Sequence, residues 1–315
     1  MENLTAAPGN APSAKNTAAQ TAADWAAGDF SRLSVVIPAR NERAGLAELL
    51  PQLRAELPGA EIILSDDGST DGSAEAAQAL GVRVVRRPVG AGNGAAIKAG
   101  ARAATREWVL FMDGDGQHRA DDVPRLLARL NEGYDMVVGA RDASGQASRH
   151  RGLANAFYNR LASWMVGQRV ADLTSGFRVA RRTRFNEFLY LLPNGFSYPT
   201  TCTMAFFRAG YSVGYEPIAV QKRAEGSKSH VRIWRDGLRF LLIIFKIGTL
   251  YSPLKIFGPV AALMFLLATG WYAHTFYEAG RFTNMSLLLY TGGVMVFLMG
   301  LISEQITALM YRSGD

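Results

Sequence analysis

The sequence predicts an α/β fold, with a mostly parallel sheet that carries helices on both faces, followed by a C-terminal membrane hairpin. Strand-like runs alternate with helix-spaced leucines and alanines between residues 33 and 138, and two uncharged apolar runs stand near the C-terminus. Alternating strands and helices are typical of parallel βαβ units. Polar clusters also follow several of the expected strands, at the edge where such sheets bind their ligands.

The composition fits a protein that is partly globular and partly within a bilayer. Hydrophobic residues make up 49% of the 315 residues and charged residues 19%. The net charge of +7 indicates an anionic partner, for which nucleic acid, an acidic membrane surface and a phosphorylated substrate all qualify. The single cysteine, Cys202, excludes an internal disulfide, and its apolar neighbours predict a buried side chain.

The expected elements follow one another without long gaps. β-Branched and aromatic runs predict the strands, and apolar residues at helical spacing predict the helices. The expected strands are residues 33–37, 61–65, 82–85, 108–112 and 134–138. The expected helices are residues 46–57, 73–80, 94–105 and 123–130. Residues 1–30, rich in Ala, Thr, Asn, Ser and Pro, predict a disordered tail.

The stretch 111–118, Phe-Met-Asp-Gly-Asp-Gly-Gln-His, joins a buried strand to two carboxylates. Asp113 and Asp115 stand one residue apart where the strand should end, with glycines between and after them. Two like charges this close are unfavourable beside a buried strand unless a cation lies between them. Mg²⁺ and Mn²⁺ prefer oxygen ligands and often keep a substrate phosphate in their coordination shell. The stretch therefore predicts a metal–diphosphate site; the alternative is an ordinary polar Asp-Gly turn.

Two further polar clusters are expected at the same edge of the sheet. Residues 38–42 follow the first strand, and residues 66–71 follow the second. Three polar clusters converging on one edge favour a ligand site over unrelated loops. The glycine-rich stretch 90–94 lacks the ending of a phosphate-binding P-loop and the full dinucleotide fingerprint, so we interpret it as a helix-entry turn near the nucleotide.

The C-terminal region predicts attachment to a membrane. In residues 231–253, Arg and Lys alternate with Trp, Phe, Leu and Ile, which is typical of amphipathic juxtamembrane helices on an anionic surface. The spans of the expected hairpin, 254–312, are about 256–273 and 285–305, each long enough to cross the hydrocarbon. Flanking basic residues place both termini and the preceding domain, 31–230, in the cytoplasm. The alternatives are a basic surface helix and a pair of buried core helices.

Three motifs resemble inverting glycosyltransferases of family 2, which have the GT-A fold. They are residues 34–42 (Ser-Val-Val-Ile-Pro-Ala-Arg-Asn-Glu), 65–71 (Ser-Asp-Asp-Gly-Ser-Thr-Asp) and 113–118 (Asp-Gly-Asp-Gly-Gln-His). Together with residues 223–228 and the paired apolar runs, they make the chain similar to polyprenyl-phosphate glycosyltransferases related to dolichyl-phosphate mannose synthase. Two spans resemble the bacterial branch that acts on undecaprenyl phosphate. The resemblance begins at about Leu33.

The resemblance implies partners and a cofactor. The donor would be a nucleotide-sugar carrying UDP or GDP, the acceptor a polyprenyl phosphate, and the cofactor a divalent metal, Mg²⁺ or Mn²⁺. The enzyme would act at the cytoplasmic face of the inner membrane as a multi-pass protein, with the lipid bilayer as a partner and no nucleic acid. A homo-oligomer is left open.

The resemblance also assigns roles to individual residues. Asp67 would contact the base or ribose of the donor, in a turn that Gly68 and Ser69 shape. The residues that would border the donor pocket are Pro38, Ala39, Arg40 and Glu42. The metal and the donor diphosphate would be held by Asp113, Asp115 and Gln117. The loop that would close over the diphosphate carries Arg223, Ser227 and Lys228. The acceptor phosphate would be bound by Arg141, Arg151 and, as a looser match, Asn155, while the segment near the transferred sugar includes Asp172 and Ser175.

Two other functions are weighed against this one. A processive polysaccharide synthase of the same fold would carry a Gln-x-x-Arg-Trp motif, which the chain lacks, and two spans are few for a polymer channel. A non-catalytic membrane-bound module that binds anionic ligands would account for the basic charge. It would leave the Asp-x-Asp-x-Gln stretch without a purpose, because a scaffold needs no metal site.

Overall fold

The computed structural model of the protein describes residues 25, 27–141, 149–195, 198–219 and 248–312, without the side chains of 149–154 and 310–312. The chain divides into two compact units. The first takes its described residues from Met1–Ala147, Thr174–Cys202 and Tyr211–Gly226. The second takes its described residues from Ser148–Leu173, Thr203–Gly210 and Ser227–Asp315.

A seven-stranded mixed sheet forms the centre of the first unit. Its strands are β1 (Leu33–Ala39), β2 (Glu61–Asp66), β3 (Arg83–Arg86), β4 (Trp108–Phe111), β5 (Met136–Arg141), β6 (Arg178–Arg181) and β7 (Val213–Ile218). The order across the sheet is β3-β2-β1-β4-β6-β5-β7. β6 is antiparallel to both of its neighbours, β4 and β5, and the other pairs are parallel. The predicted α/β class with a mostly parallel sheet is therefore confirmed.

The strand order places the carboxyl ends of every strand except β6 on one edge. β1, β2 and β4 are mutually parallel, and β5 points the same way as β4 because both are antiparallel to β6. The chain moves outward from β1 to β2 and β3, and then returns to add β4 on the other side of β1. Such a switch point opens a crevice beyond the strand ends, where α/β proteins bind ligands.

The helices, in chain order, are α1 (Arg43–Glu56), α2 (Ser73–Ala79), α3 (Asn93–Ala103), α4 (Val123–Leu130), α5 (Arg149–Val166), α6 (Arg182–Asn186), α7 (Tyr198–Arg208), α8 (Pro253–Ala279) and α9 (Asn284–Arg312). A 3₁₀ turn, Ala120–Asp122, precedes α4. α5, α8 and α9 belong to the second unit, and α7 begins in the first unit and ends in the second.

Helices cover both faces of the sheet, as the sequence predicts. Alternate residues of β1, from Leu33 to Ile37, belong to one apolar core together with the buried leucines of α1 and α4. Val36 points to the opposite face, where α3 packs so closely that a Cβ on Gly100 would lie 2.3 Å from Val36 Cγ1. The side chain alternation of a strand therefore supplies both packing layers.

Several boundaries differ from the expected ones. β1 continues through Pro38 to Ala39, although we expected it to end at residue 37. The pairing of β1 with β4 ends at Val36. Because Pro38 lies beyond that point, its missing N–H removes no hydrogen bond between β1 and β4. Order also begins earlier than expected, because Trp25 and Phe30 are buried in the core and the Trp25 ring lies 6.1 Å from that of Trp108. The tail up to residue 24 lies outside the described residues, as does the juxtamembrane segment up to residue 247.

α8 and α9 form an apolar pair in the second unit. Each is long and apolar enough to cross a membrane, and their large apolar side chains are mostly exposed. Both are longer than the expected spans, because the connection is only residues 280–283. The two helices pack through small residues, since a Cβ on Gly300 would lie 2.7 Å from Phe257 Cβ. Thr269 Oγ1 and Tyr290 Oη also share a hydrogen bond of 2.9 Å.

Glu304 joins three elements of the second unit. Its carboxylate accepts a hydrogen bond of 2.9 Å from Arg208 Nη2 at the end of α7 and one of 3.3 Å from the Leu254 N–H in the first turn of α8. The charge of Glu304 is therefore paired, and its carboxylate links α9 to α7 and α8.

Candidate active site

An open cavity of about 500 Å³ lies at the carboxyl ends of β1, β2, β4 and β5. Its volume falls in the usual range for small-molecule sites. Nine of the predicted site residues line it: Pro38, Ala39, Arg40, Glu42, Asp67, Asp113, Asp115, Gln117 and Arg141. Gly92 and Asn93, at the start of α3, also line the cavity, in keeping with a helix-entry turn near the ligand. The structure thus brings together three of the predicted polar clusters and the end of β5.

The loops after β1 and β2 are joined by hydrogen bonds between side chains and backbone. The Asn41 N–H donates to Ser69 Oγ at 3.0 Å, and Asn41 Oδ1 accepts from the Thr70 N–H at 2.9 Å. Glu42 and Ser73 are linked by a similar bond of 3.1 Å. Asn41 is the one non-glycine residue with positive φ in the described part of the chain, at 57°, a conformation that Asn tolerates better than most residues. The predicted site omitted Asn41, although an Asn within a turn was a usable signal.

The Asp66–Asp67 pair is buried and held by protein groups. The Asp66 carboxylate accepts the Ser69 N–H at 3.1 Å and lies 3.5 Å from Arg86 Nε. The Asp67 carboxylate accepts the N–H groups of Ala91 at 2.9 Å and Gly92 at 2.8 Å, and its side chain is 4% exposed. Asp67 therefore fixes the loop before α3 as well as lining the cavity.

Asp66 and Gly68 shape the turn after β2. The Asp66 carboxylate accepts the Ser69 N–H within the turn, and Asp71 accepts the Ser73 N–H at 3.0 Å at the start of α2. Gly68 has φ of 76°, and a Cβ there would lie 2.9 Å from Gly90 N. Gly68 and Ser69 form part of the turn and do not line the cavity.

The loop after β4 places its acids at the mouth of the same cavity. Asp113 is 37% exposed, and its Oδ2 lies 3.9 Å from Nε2 of the buried His118, whose ring stacks on Phe177. Asp115 Oδ1 accepts the N–H of Gln117 at 3.1 Å, which curls the loop back on itself. His118 lies within this loop, and its buried ring supports Asp113.

These residues fit a hard divalent cation. Two carboxylates and one amide oxygen, from Asp113, Asp115 and Gln117, border one cavity, and oxygen donors are what Mg²⁺ and Mn²⁺ prefer. Among the described residues no group of three or more His, Cys, Asp or Glu side chains could hold a metal unaided. This donor set suits a cation that also takes oxygens from a bound diphosphate.

Arg141 brings a cation to the same cavity. It is the last residue of β5, and its Nη2 donates a hydrogen bond to Thr174 Oγ1, which also lines the cavity. A guanidinium is always charged, and its planar fork of N–H groups suits the oxygens of a phosphate. The pocket therefore offers acidic groups for a cation and a basic group for an anion.

A buried arginine supports the floor of the cavity. Arg178 is fully buried, and its guanidinium donates to the backbone carbonyls of Ser175 and Pro199. Tyr198 lies 5.6 Å from it and donates from its hydroxyl to the Gly176 carbonyl at 3.0 Å. Burial raises the pKa of Tyr198, which keeps that hydroxyl a neutral donor. Arg178 ends the stretch 174–178 that resembles the segment near the transferred sugar, but its burial was not predicted, because a charged side chain in a core is rare without visible partners. Tyr198 was not predicted.

The segment before Thr174 is held by α5, within the second unit. Asn159 Nδ2 donates to the Ala171 carbonyl at 2.6 Å, and its Oδ1 accepts from the Leu173 N–H at 3.0 Å. One side chain thus clamps both neighbours of the buried Asp172. Asn155, half-buried, stands one turn before Asn159 on the same helix. Ser175, one of the predicted residues, is buried and does not line the cavity.

Four predicted residues cannot be placed. Arg223, Ser227 and Lys228 lie outside the described residues. Arg151 belongs to the backbone of α5, but its side chain also lies outside them. Their roles stay predictions.

Comparison with known proteins identifies the catalytic fold and the C-terminal hairpin. The model of the family described as "Glycosyl transferase family 2" matches residues 34–209, and that of the "GtrB C-terminal hairpin" matches residues 252–309. The hairpin match and the two candidate spans together support association with a membrane.

Curated relatives cover much of the chain. Glycosyltransferase AglJ of Haloferax volcanii is 29% identical over 87% of this chain and 93% of its own length. A dolichyl-phosphate hexose transferase of the same organism is 30% identical over 63% of this chain and 87% of its own. An undecaprenyl-phosphate 4-deoxy-4-formamido-L-arabinose transferase of Klebsiella pneumoniae is 32% identical over 74% of this chain and 73% of its own.

Solved structures support the fold. The glucosyl-3-phosphoglycerate synthase of Mycobacterium tuberculosis, crystallised with Mn²⁺, UDP-glucose and phosphoglyceric acid, superimposes with a TM-score of 0.55 at 23% identity, over 77% of this chain and 84% of that one. The expected GT-A-like architecture is confirmed. The family 2 model matches more than half of the 315 residues, and it spans the strands and loops that build the cavity. The chain belongs to glycosyl transferase family 2.

Proposed function

We propose that this enzyme transfers a sugar from a nucleotide-sugar to a polyprenyl phosphate, with inversion at the anomeric carbon. The observation that carries the proposal is that Asp113, Asp115, Gln117 and Arg141 all line one cavity. Acidic groups and a basic group in the same cavity suit a reaction between two phosphate-bearing substrates, one of them bound through a cation. Relatives named for transfer to dolichyl and undecaprenyl phosphate support this choice of acceptor class.

The donor would lie along the loops after β1 and β2. Pro38, Ala39, Arg40 and Glu42 would border the nucleotide, and Asp67 would face its base or ribose while holding the loop before α3. Asp113, Asp115 and Gln117 would hold Mg²⁺ or Mn²⁺ together with the donor diphosphate. The bound cation would neutralise the charge that develops on the departing diphosphate.

The acceptor would approach from the side of Arg141. Its guanidinium would orient the lipid phosphate, with Arg151 and Asn155 of α5 as further contacts. An oxygen of that phosphate is already anionic near neutral pH, because its second pKa is about 6, so no side chain needs to remove a proton from it. The oxygen forms the new bond to the anomeric carbon as the bond from that carbon to the diphosphate breaks, and a nucleoside diphosphate leaves.

The remaining predicted residues complete the proposal. Arg223 and Lys228, with Ser227 between them, would close over the diphosphate and add positive charge to the leaving group. Asp172 lies two residues before Thr174, and Asn159 holds both of its neighbours. Asp172 would face the transferred sugar together with Ser175. α8 and α9 would span the inner membrane as a hairpin, with residues 31–230 and both termini in the cytoplasm.

The test is a transfer assay with the purified full chain in detergent. A panel of UDP- and GDP-sugars would be incubated with undecaprenyl or dolichyl phosphate and Mg²⁺ or Mn²⁺, and sugar in the lipid extract would be followed. We expect one donor to label the lipid, and chelation of the metal to abolish the labelling. Glu132→Gln, which removes one negative charge outside the cavity, is the matched control for acid-to-amide changes inside it.

The alternatives predict other products. Labelled polymer that stays out of the lipid extract would favour a processive synthase. Nucleotide binding without transfer to either lipid would reject the acceptor assignment and, with it, the role of Arg141. Absence of nucleotide binding would favour a non-catalytic module.

A further inference from the structure

The start of α3 carries hydrogen-bond donors that the protein itself uses. The N–H groups of Ala91 and Gly92 donate to the Asp67 carboxylate, and the Ala95 N–H donates to the Asn194 carbonyl at 2.9 Å. A helix start that binds phosphate presents such N–H groups to its ligand. Because protein oxygens take three of these groups here, the start of α3 serves mainly to hold neighbouring loops together.

One of these loops is the turn formed by residues 192–194, Leu-Pro-Asn, which packs on the first turn of α3 within the first unit. A Cβ on Gly94 would lie 2.0 Å from the Pro193 carbonyl oxygen, and a Cβ on Gly92 would lie 2.7 Å from the Asn194 carbonyl oxygen. Only glycine allows so close an approach of two backbone segments. The sequence therefore provides for a direct contact between this turn and the start of α3.

Lys98, in the second turn of α3, fastens the same turn with its side chain. Its Nζ donates to the Leu192 carbonyl at 3.0 Å and to Asn194 Oδ1. Partial burial and the charges of Arg102 and Arg87 lower the pKa of Lys98, and in the described part of the chain no carboxylate pairs with it. Two oxygens of the turn therefore compensate this ammonium group, through charge-assisted hydrogen bonds.

The two segments that Lys98 joins both continue into the lining of the candidate active site. The α3 residues that line the cavity are Gly92, Asn93 and Ala96. Beyond the turn, Tyr198 and Pro199 at the start of α7 line it as well. Lys98 itself does not line the cavity, so its effect on a ligand must pass through the segments that it joins.

We propose that Lys98 is a positioning residue for the nucleotide-sugar. By fastening the turn 192–194 to α3, it fixes the start of α3 and the start of α7 relative to each other, and so sets the shape of this part of the cavity. The inference rests on the proposed function, which places the donor in this cavity, and goes beyond it by assigning a role to a residue that touches no substrate. A looser turn would weaken donor binding in the ground state and in the transition state alike, which raises KM without lowering kcat.

Lys98→Met tests the inference, because it removes the ammonium group and keeps a long, unbranched side chain. The donor KM, acceptor KM and kcat would be measured in the lipid-transfer assay with the full chain in detergent. The Kd of UDP and of GDP would be measured by calorimetry in the presence of Mn²⁺. We expect the donor KM, and the Kd of the nucleotide that binds wild type, to rise about fivefold, with kcat and acceptor KM within about twofold of wild type.

Two further variants make the test specific. Arg102→Met removes one positive charge from an exposed position one turn further along α3, outside the cavity lining, and should leave the donor KM unchanged. Asn194→Ala removes one of the two acceptors of Lys98 and should raise the donor KM by a smaller factor. In the double variant with Lys98→Met the rise should be no larger than in Lys98→Met alone, because both changes break the same contact. Asn194 is exposed, so this variant should fold even where Lys98→Met does not, and an unchanged donor KM in it would overturn the inference.

The outcomes separate this inference from the function on which it rests. An unchanged donor KM in Lys98→Met would overturn the inference, and a lower melting midpoint with that result would limit the contact to stability. A fall in kcat with an unchanged donor KM would overturn it as well. If wild type bound a nucleoside diphosphate but transferred no sugar to either lipid, the proposed acceptor would be wrong, and the calorimetric comparison would still decide the role of Lys98. Absence of nucleotide binding by wild type would overturn both.

Discussion

Two acidic loops of the first unit have similar sequences and opposite surroundings. In the loop after β2, Asp66 and Asp67 are 0% and 4% exposed, and backbone N–H groups and arginines hold their carboxylates. In the loop after β4, Asp113 is 37% exposed, and both it and Asp115 border the cavity. Both loops are Asp-rich and Gly-containing in the sequence, and composition alone does not separate them.

The difference in surroundings indicates which carboxylates stabilise the fold and which are available to a ligand. A carboxylate that is bonded on most sides by its own protein stabilises the fold and is costly to remove. A carboxylate that stays open to a cavity, close to another of the same sign, is poised for a cation from outside. We therefore expect substitution of Asp66, which does not line the cavity, to act mainly on stability and substitutions of Asp113 and Asp115 to act mainly on catalysis.

The largest effect is expected for Asp115→Asn. The change removes charge from a proposed metal contact while keeping the shape of the side chain, so kcat should fall by roughly 10²–10³-fold. The melting midpoint in detergent should be unchanged or slightly higher, because repulsion from Asp113 is relieved. Steady-state transfer and thermal melting would be measured with Glu132→Gln as the control. If the melting midpoint of Asp115→Asn fell together with its kcat, Asp115 would also be needed for stability, and the proposed difference between the two loops would be wrong.

Asp66→Asn should give the converse result. The buried amide keeps an acceptor for the Ser69 N–H but loses the charge that faces Arg86, which should destabilise the protein by about 1–3 kcal/mol. The midpoint, followed through intrinsic Trp fluorescence, should drop by several degrees. Residual transfer, measured well below the new midpoint, should stay within about threefold of wild type. A loss of transfer as deep as that of Asp115→Asn would show that the β2 loop has a direct catalytic role.

Gly176→Ala tests how closely Asp113 is positioned. A Cβ at residue 176 would lie 3.0 Å from Asp113 Oδ2 and 3.4 Å from Tyr198 Oη, so the carboxylate must move by a few tenths of an ångström. We expect Mn²⁺ affinity in the presence of a nucleoside diphosphate to fall about tenfold, as for other neighbours of metal contacts. Calorimetry would measure it. Gly195→Ala is the matched control, because a Cβ there meets no atom within 4 Å. Equal affinity in the two variants would argue against Asp113 as a metal contact.

The fold and much of the cavity follow from local patterns. The β-branched runs of β1 and β2 and the helical leucines of α1 locate their elements to within a few residues, and strand polarity then brings the three motifs to one edge. Asp113 could be predicted as a cavity residue because it follows the end of a buried strand. Arg141, three residues beyond the expected end of its strand, was assigned by the resemblance to the family, and the structure makes it the last residue of β5.

Elements that depend on tertiary partners were not anticipated. β6 begins with the buried Arg178, and β7 contains Pro217, so neither has an ordinary strand composition. β7 tolerates its proline because it is the edge strand of the sheet. Arg178 and Asn159 have roles that depend on carbonyls far along the chain or beyond a loop, and no local pattern reveals such partners.

The smallest expected effect is on the pH dependence of stability. It concerns the hydrogen bonds that join the loops after β1 and β2. Asp71 accepts N–H groups from Ser73 at 3.0 Å and Arg43 at 3.1 Å. Burial acts to raise the pKa of Asp71, but these hydrogen bonds outweigh it, and the pKa lies below its usual value. A carboxyl with a lowered pKa stabilises the folded state above its unfolded pKa, which is about 3.9 for Asp, and that contribution is lost as the pH falls through the folded value.

Asp71→Asn should therefore lower the melting midpoint at pH 7, and the difference from wild type should shrink below about pH 4 as wild-type Asp71 becomes protonated. Asn41→Ala removes the uncharged hydrogen bond from the Thr70 N–H to Asn41 Oδ1, which joins the same two loops. Its melting midpoint should differ from that of wild type by an amount that does not change with pH. Melting curves of the three proteins between pH 7 and pH 3.5 would test this. A difference for Asp71→Asn that does not change with pH would contradict this prediction. It would mean that the negative charge of Asp71 does not contribute to stability and that its hydrogen bonds do not depend on that charge.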